Sequence, residues 1–88
     1  MVLNTKYLKE MFLEIITPDK KLFSGEVKSV QLPGADGSFG VLDAHAPTIA
    51  TLQKGKIKIA DDKQAAQFIE IKGGVVEVLR NKVTVLAE

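Results

Sequence analysis

The sequence predicts an all-β fold, a small sandwich or barrel, on three observations. Short β-branched segments alternate apolar and polar side chains, turn residues separate them at intervals of about 8 to 12 residues, and helix-compatible sequence is confined to the N-terminal end. Taken in order, Thr5 through Met11 suit one or two helical turns or an untied terminus, so residues 1–11 are set apart as a leader that is poorly ordered or a short helix. Residues 12–88 then form one β domain. Phe12-Leu13-Glu14-Ile15-Ile16 is a strand with apolar residues on both faces, which predicts deep burial or a place at the seam of two sheets. Thr17-Pro18-Asp19 opens a turn, because proline presets φ and aspartate bonds to nearby backbone. Lys28-Ser29-Val30-Gln31-Leu32 alternates cleanly, and Pro33-Gly34-Ala35-Asp36-Gly37 breaks it with two residues free to take positive φ.

Strand character resumes at Phe39-Gly40-Val41-Leu42 and is clearest at Lys56-Ile57-Lys58-Ile59, whose isoleucines share one face while the lysines point to water. Asp61-Asp62-Lys63-Gln64 reads as a polar hairpin tip before the strand Phe68-Ile69-Glu70-Ile71-Lys72. Gly73-Gly74 between strong strand patterns marks a bulge or a close backbone approach. Val75-Val76-Glu77-Val78-Leu79 has the same two-faced apolar character as residues 12–16. A tight turn at Arg80-Asn81-Lys82 leads into Lys82-Val83-Thr84-Val85-Leu86.

Composition narrows the function. The 88 residues suffice for one small domain, and 45% hydrophobic with 26% charged residues is ordinary globular material. Twelve basic and eleven acidic side chains leave a formal charge of +1, far from the basic balance that binding a nucleic acid backbone demands. With no cysteine, neither a disulfide nor a thiolate metal site is available. No apolar run approaches the roughly 20 residues of a membrane span, and the first ten residues lack the apolar stretch of a signal peptide.

Candidate chemistry is sparse. His45, the one histidine, lies two residues from Asp43, yet no nucleophile or further metal ligand accompanies the pair, so a structural or interface role is expected. Ser24, Ser29 and Ser38 occupy no nucleophile elbow. Gly34, Gly37 and Gly40 lead into a strand rather than a helix, which removes a phosphate cradle and leaves turn geometry. Asp36, Asp43, Asp61 and Asp62 lack the ligand order of a calcium loop. A carrier domain would present a modifiable lysine in a recognisable hairpin tip, which neither Asp62-Lys63-Gln64 nor Arg80-Asn81-Lys82 provides. A free-standing ligand-binding sandwich would want exposed aromatics, and Tyr7 is the only tyrosine. What remains is a β scaffold that presents loops to partners.

An ordered series of motifs gives that expectation a family. It comprises Leu13, Ile15, Thr17 and Pro18, then Leu22-Phe23-Ser24-Gly25 with Val27, then Pro33-Gly34, Gly37 and Phe39-Gly40-Val41-Leu42. His45-Ala46-Pro47 follows, then Phe68-Ile69-Glu70-Ile71 with Gly73-Gly74-Val75-Val76-Glu77-Val78, and finally Asn81 with Val83-Thr84-Val85-Leu86-Ala87-Glu88. In order and spacing, residues 13–88 resemble the N-terminal domain of the epsilon-subunit family of F-type ATP synthase.

The resemblance implies an epsilon-type domain over residues 12–88, a ten-stranded antiparallel β-sandwich of two five-stranded sheets. It further implies a non-catalytic rotor subunit without a cofactor or metal, joining the gamma subunit to the ring of c subunits. Association with the membrane would come only through the complex, on the cytoplasmic face of a bacterial inner membrane or, alternatively, at a plastid thylakoid. By the same resemblance the loop Ala35, Asp36, Gly37 and Ser38 faces the c ring, and Thr17 and His45 face gamma. Many relatives carry an acidic residue where Ser38 stands, so the expected ionic contact with the ring is either weaker or shifted to Asp36. Most relatives also continue into a C-terminal helical hairpin, whereas this sequence stops at Glu88. The expectation is therefore coupling without the hairpin's braking and without nucleotide binding.

Overall fold

A computed structural model describes residues 11–41, 47–61 and 66–88. Nine strands are found there: β1 (Met11–Ile16), β2 (Lys21–Val27), β3 (Ser29–Gly34), β4 (Gly37–Val41), β5 (Thr48–Leu52), β6 (Gly55–Ala60), β7 (Ala66–Ile71), β8 (Gly74–Leu79) and β9 (Lys82–Ala87). The all-β sandwich is as expected, with nine strands among the described residues where ten were expected. Of the proposed leader, residues 1–10 lie outside the description, and Met11 opens β1 as a buried core residue.

The strands form one continuous hydrogen-bonded path, β2-β1-β9-β8-β5-β3-β6-β7, with β4 added on β3. Two separate five-stranded sheets were expected. Instead, β5 and β6 both pair with β3, Leu52 against Gly34 and Lys58 to Ala60 against Gln31 to Ser29, so the corner at Gln53–Lys54 carries hydrogen bonding from one side to the other. One side thus holds five strands (β2, β1, β9, β8, β5) and the other four (β4, β3, β6, β7).

One pairing departs from the antiparallel expectation: β1 and β9 run parallel, Phe12 beside Lys82 through Ile16 beside Leu86. Hairpins enforce antiparallel neighbours because a short turn must reverse the chain, but the first and last described strands are joined by no turn. Their relative sense follows from where β2 and β8 place them.

Alternation accounts for the core. Leu13, Ile15, Val76, Val78, Val83 and Val85 from the five-stranded side meet Val30, Leu32, Val41, Ile57 and Ile59 from the other, all buried. At about 25 cal/mol per Å² of apolar surface, each buried Leu or Ile contributes roughly 1.5–3 kcal/mol against the entropy of ordering the chain. The lysines of β6 stand outward, as their period of two requires.

Turn chemistry is also realised. Thr17 and Lys20 close the β1–β2 turn, and Arg80–Asn81 form a two-residue β8–β9 turn in which Arg80 takes φ 58°. At Gly73-Gly74 the structure shows close backbone approach: a Cβ on Gly74 would lie 2.3 Å from the Leu86 carbonyl oxygen. The polar tip expected at Asp61 to Gln64 lies outside the described residues beyond Asp61.

Candidate docking surfaces

Gly34 pairs with Gly37 across the β3–β4 hairpin, leaving Ala35 and Asp36 as a two-residue turn with exposed Gly37 and Ser38 behind it. The close approach explains the glycine at 34, where a Cβ would stand 2.6 Å from the Gly37 carbonyl oxygen and 2.9 Å from the Phe39 ring. This tip is fastened to β5 and its corner. The Ala35 N–H donates to the Thr51 carbonyl at 2.9 Å, the Gln53 N–H to the Pro33 carbonyl at 2.8 Å, and the Gln53 side-chain amide to the Gly34 carbonyl at 3.0 Å. Ser38 accepts a hydrogen bond from the Gln31 side-chain amide at 3.3 Å, so its hydroxyl is engaged by the neighbouring strand, and Asp36 supplies the tip's carboxylate. Beside the tip a groove of about 620 Å³ runs along Thr48 to Thr51, with Phe39 in its wall.

Thr17 lies at the same end of the sandwich. In register, Gly34 faces Leu52, Leu52 faces Gly74, Gly74 faces Ala87, and the adjoining pair on β9 and β1 is Leu86 beside Ile16, the residue before Thr17. Its hydroxyl accepts from the Lys20 N–H and donates to the Lys20 carbonyl, both at 3.1 Å. Thr17 therefore presents a closed turn rather than a free hydroxyl. His45 lies outside the described residues.

Sequence reasoning missed a third surface. Of the six large apolar residues exposed in the described structure, Phe12, Ile49, Val75, Leu79 and Leu86 all stand on the outer face of the five-stranded side; only Phe68 lies elsewhere, on β7. Ile49 is 74% exposed and Leu86 57%. Leu86 neighbours Val75 on one side and Ile16 on the other, so these three form one row, while Phe12 and Leu79 flank Lys82 in another. The signal was present in the two-faced apolar character of residues 12–16 and 75–79. Those residues were expected to be deeply buried or to lie at the seam of two sheets, but no layer of the described chain covers their outward side.

Between the two rows runs a third, Ile49, Glu77, Thr84 and Glu14, each beside the next and polar from Glu77 onward. Glu14, its side chain 18% exposed, bonds to Lys21 at 2.9 Å and lies 3.9 Å from Lys82. The Lys21 hydrogen bond, with added attraction from the Lys21 and Lys82 charges, holds the Glu14 carboxyl below its ordinary range against the desolvation that raises it.

Chemistry finds little footing on this scaffold. Among the described residues no polar side chain is buried, and no group of three His, Cys, Asp or Glu could hold a metal ion. Ser24, Ser29 and Ser38 sit on three different strands. The arrangement suits contact with other proteins: a stiff frame, a rigidly anchored tip and one apolar face.

Comparison with known proteins agrees in one direction. Residues 10–88 match a family model described as the ATP synthase delta/epsilon chain β-sandwich domain. The ATP synthase epsilon chain of Desulfatibacillum aliphaticivorans is 45% identical over 78 residues, covering 89% of this chain and 55% of that relative. That of Caulobacter vibrioides is 42% identical over 81 residues, covering 92% of this chain and 93% of that relative. The chain thus spans about half the length of the first relative and nearly all of the second. A chain in the mitochondrial ATP synthase of Euglena gracilis, solved as OSCP/F1/c-ring, superposes with a TM-score of 0.84 at 20% identity, over 89% of this chain and 50% of that one, and so shares the fold.

Proposed function

The chain belongs to the ATP synthase delta/epsilon chain β-sandwich family, and from that premise we propose that it is a non-catalytic subunit of the central stalk of a proton-translocating F-type ATP synthase. There it couples rotation of the c ring to the gamma subunit and the catalytic head. The match over 93% of the Caulobacter relative at 42% identity carries this reading, because it extends through the whole sandwich.

In this role the anchored tip, Ala35, Asp36, Gly37 and Ser38, faces the c ring, with Asp36 as the charged contact. The gamma subunit covers the apolar outer face of the five-stranded side from its Thr17 end, and His45 adds a contact on that partner. Torque then has a short path. A push on the tip passes through the hydrogen bonds tying Pro33, Gly34 and Ala35 to Thr51 and Gln53, enters β5, and crosses to β8 and β9 through continuous ladders. Close-packed interiors transmit such strain rather than absorb it. Neither cofactor nor bound nucleotide enters the role, and the membrane is approached only through the complex, on the cytoplasmic face of a bacterial inner membrane or, alternatively, at a thylakoid.

The sandwich by itself is sufficient for coupling in this proposal. A relative matched over nearly its whole length by the same domain supports that, since it holds little else. The test is ATP-driven proton pumping by vesicles carrying synthase depleted of this subunit. Adding the chain restores pumping per ATP hydrolysed; unchanged pumping contradicts the proposal. Calorimetric titration with ATP gives no saturable heat, and clear saturation contradicts the nucleotide-free role.

A further inference from the structure

The polar row across the apolar face contains two carboxylates in different states. Glu14 is held by Lys21 and Lys82, whereas Glu77, exposed on β8, makes no ion pair with any described residue. Glu77 lies between Val75 and Leu79 along its strand and beside Ile49 on β5. Lys82 stands one row away, opposite Leu79, with its ammonium turned to Glu14. The face thus presents one uncompensated negative charge inside a frame of exposed Ile49, Val75 and Leu79, with Leu86 diagonally across.

A partner that covers this frame removes water from Glu77 as well. Burying an unpaired carboxylate is strongly unfavourable, and pairing it with a charge-assisted hydrogen bond offsets that cost. Glu14 cannot serve, being an acid itself, and its two lysines are already engaged. We infer that the face is selective for a partner surface bearing a basic side chain, arginine or lysine, within an apolar surround, and that Glu77 is the residue that reads it. This rests on the gamma subunit being the occupant, and it adds the chemistry gamma must bring: a cation set opposite Glu77, with apolar groups against Ile49, Val75 and Leu79.

The test measures the affinity of the full chain for purified gamma subunit at low and moderate salt, for the unaltered protein, Glu77→Gln, Glu77→Lys and the paired Leu79→Ser/Leu86→Ser change. Urea midpoints serve as the folding control. The expected result is binding weakened about 5- to 30-fold by Glu77→Gln, with a flatter salt dependence, and more than about 100-fold by Glu77→Lys, midpoints unchanged. If both Glu77 variants bind as the unaltered protein does while the leucine pair loses binding, the gamma reading stands and the role of Glu77 is overturned. If the unaltered chain does not bind gamma, both fall.

Discussion

On the five-stranded side, the outward positions of β1, β5, β8 and β9 carry Phe12, Ile49, Val75, Leu79 and Leu86. On the four-stranded side, the outward positions of β6 carry Lys56 and Lys58, and Phe68 is the one large apolar residue exposed there among those described. Both sides alternate with the same period and cover the same core, so burial does not distinguish them. What differs is the parity that points away from the core. A lysine-faced sheet is finished by water, whereas a sheet with apolar rows is finished by another protein.

Substitutions that strike the two sides differently put this contrast at risk. The largest effect is expected at Gly74, where a Cβ would meet the Leu86 carbonyl oxygen at 2.3 Å and φ is 148°. Gly74→Ala forces β8 from β9 and costs about 3 kcal/mol or more in urea unfolding. Gly40→Ala on β4, whose nearest neighbour would be 3.9 Å away, shifts stability by about 0.5 kcal/mol or less. Equal losses at the two glycines would remove the packing account of the five-stranded side.

Leu79→Ser with Leu86→Ser comes next, and its effect is on association. Losing two partly exposed leucines from a covered face weakens gamma binding roughly 10- to 100-fold, at about 1.4 kcal/mol per tenfold, while Phe68→Ser on the opposite side leaves it unchanged. A competition binding assay separates the cases.

Smaller again is Arg80→Asn. Arg80 holds φ 58°, which costs a residue other than glycine or asparagine about 1 kcal/mol. The variant gains about 0.5–1 kcal/mol in thermal unfolding with gamma affinity unaltered, because the β8–β9 turn closes the apolar side without belonging to its face.

The smallest effect is acid sensitivity at Glu14. Its folded-state carboxyl titrates below the unfolded one, so its contribution is present above the ordinary carboxylate range and is lost as pH falls through the lower, folded value. Glu14→Gln therefore flattens the stability profile on the acid side and lowers stability slightly near neutrality, where the ionised pair contributes. An unaltered acid limb in the variant would show that the Lys21 pair contributes nothing to folding.

Much of the scaffold was legible in the residues themselves. Lys56-Ile57-Lys58-Ile59 announced its buried isoleucines, Gly73-Gly74 its close approach, and Pro33 to Gly37 its turn, because these are local consequences of side-chain parity and allowed φ. The parallel β1–β9 pair was not legible, since no turn connects those strands and only the assembled sheet brings them together. Nor was the apolar face: Val75 and Leu79 looked like deeper core because hydrophobic pattern reports which parity is apolar, not whether a second layer of the same chain lies over it. Thr17 was placed toward gamma by resemblance alone, and nothing local to it in the residues showed that the turn consumes its hydroxyl.

Coverage of the five-stranded side in the assembled rotor can be probed without background labelling of this chain, because it has no cysteine. Single Val75→Cys and Lys58→Cys variants, assembled with gamma and treated with a maleimide, report each outer face by mass. Val75→Cys is expected to label freely in the isolated chain and to be protected in the complex, while Lys58→Cys labels equally in both. Protection of Lys58→Cys, or equal labelling of Val75→Cys with and without gamma, would contradict it.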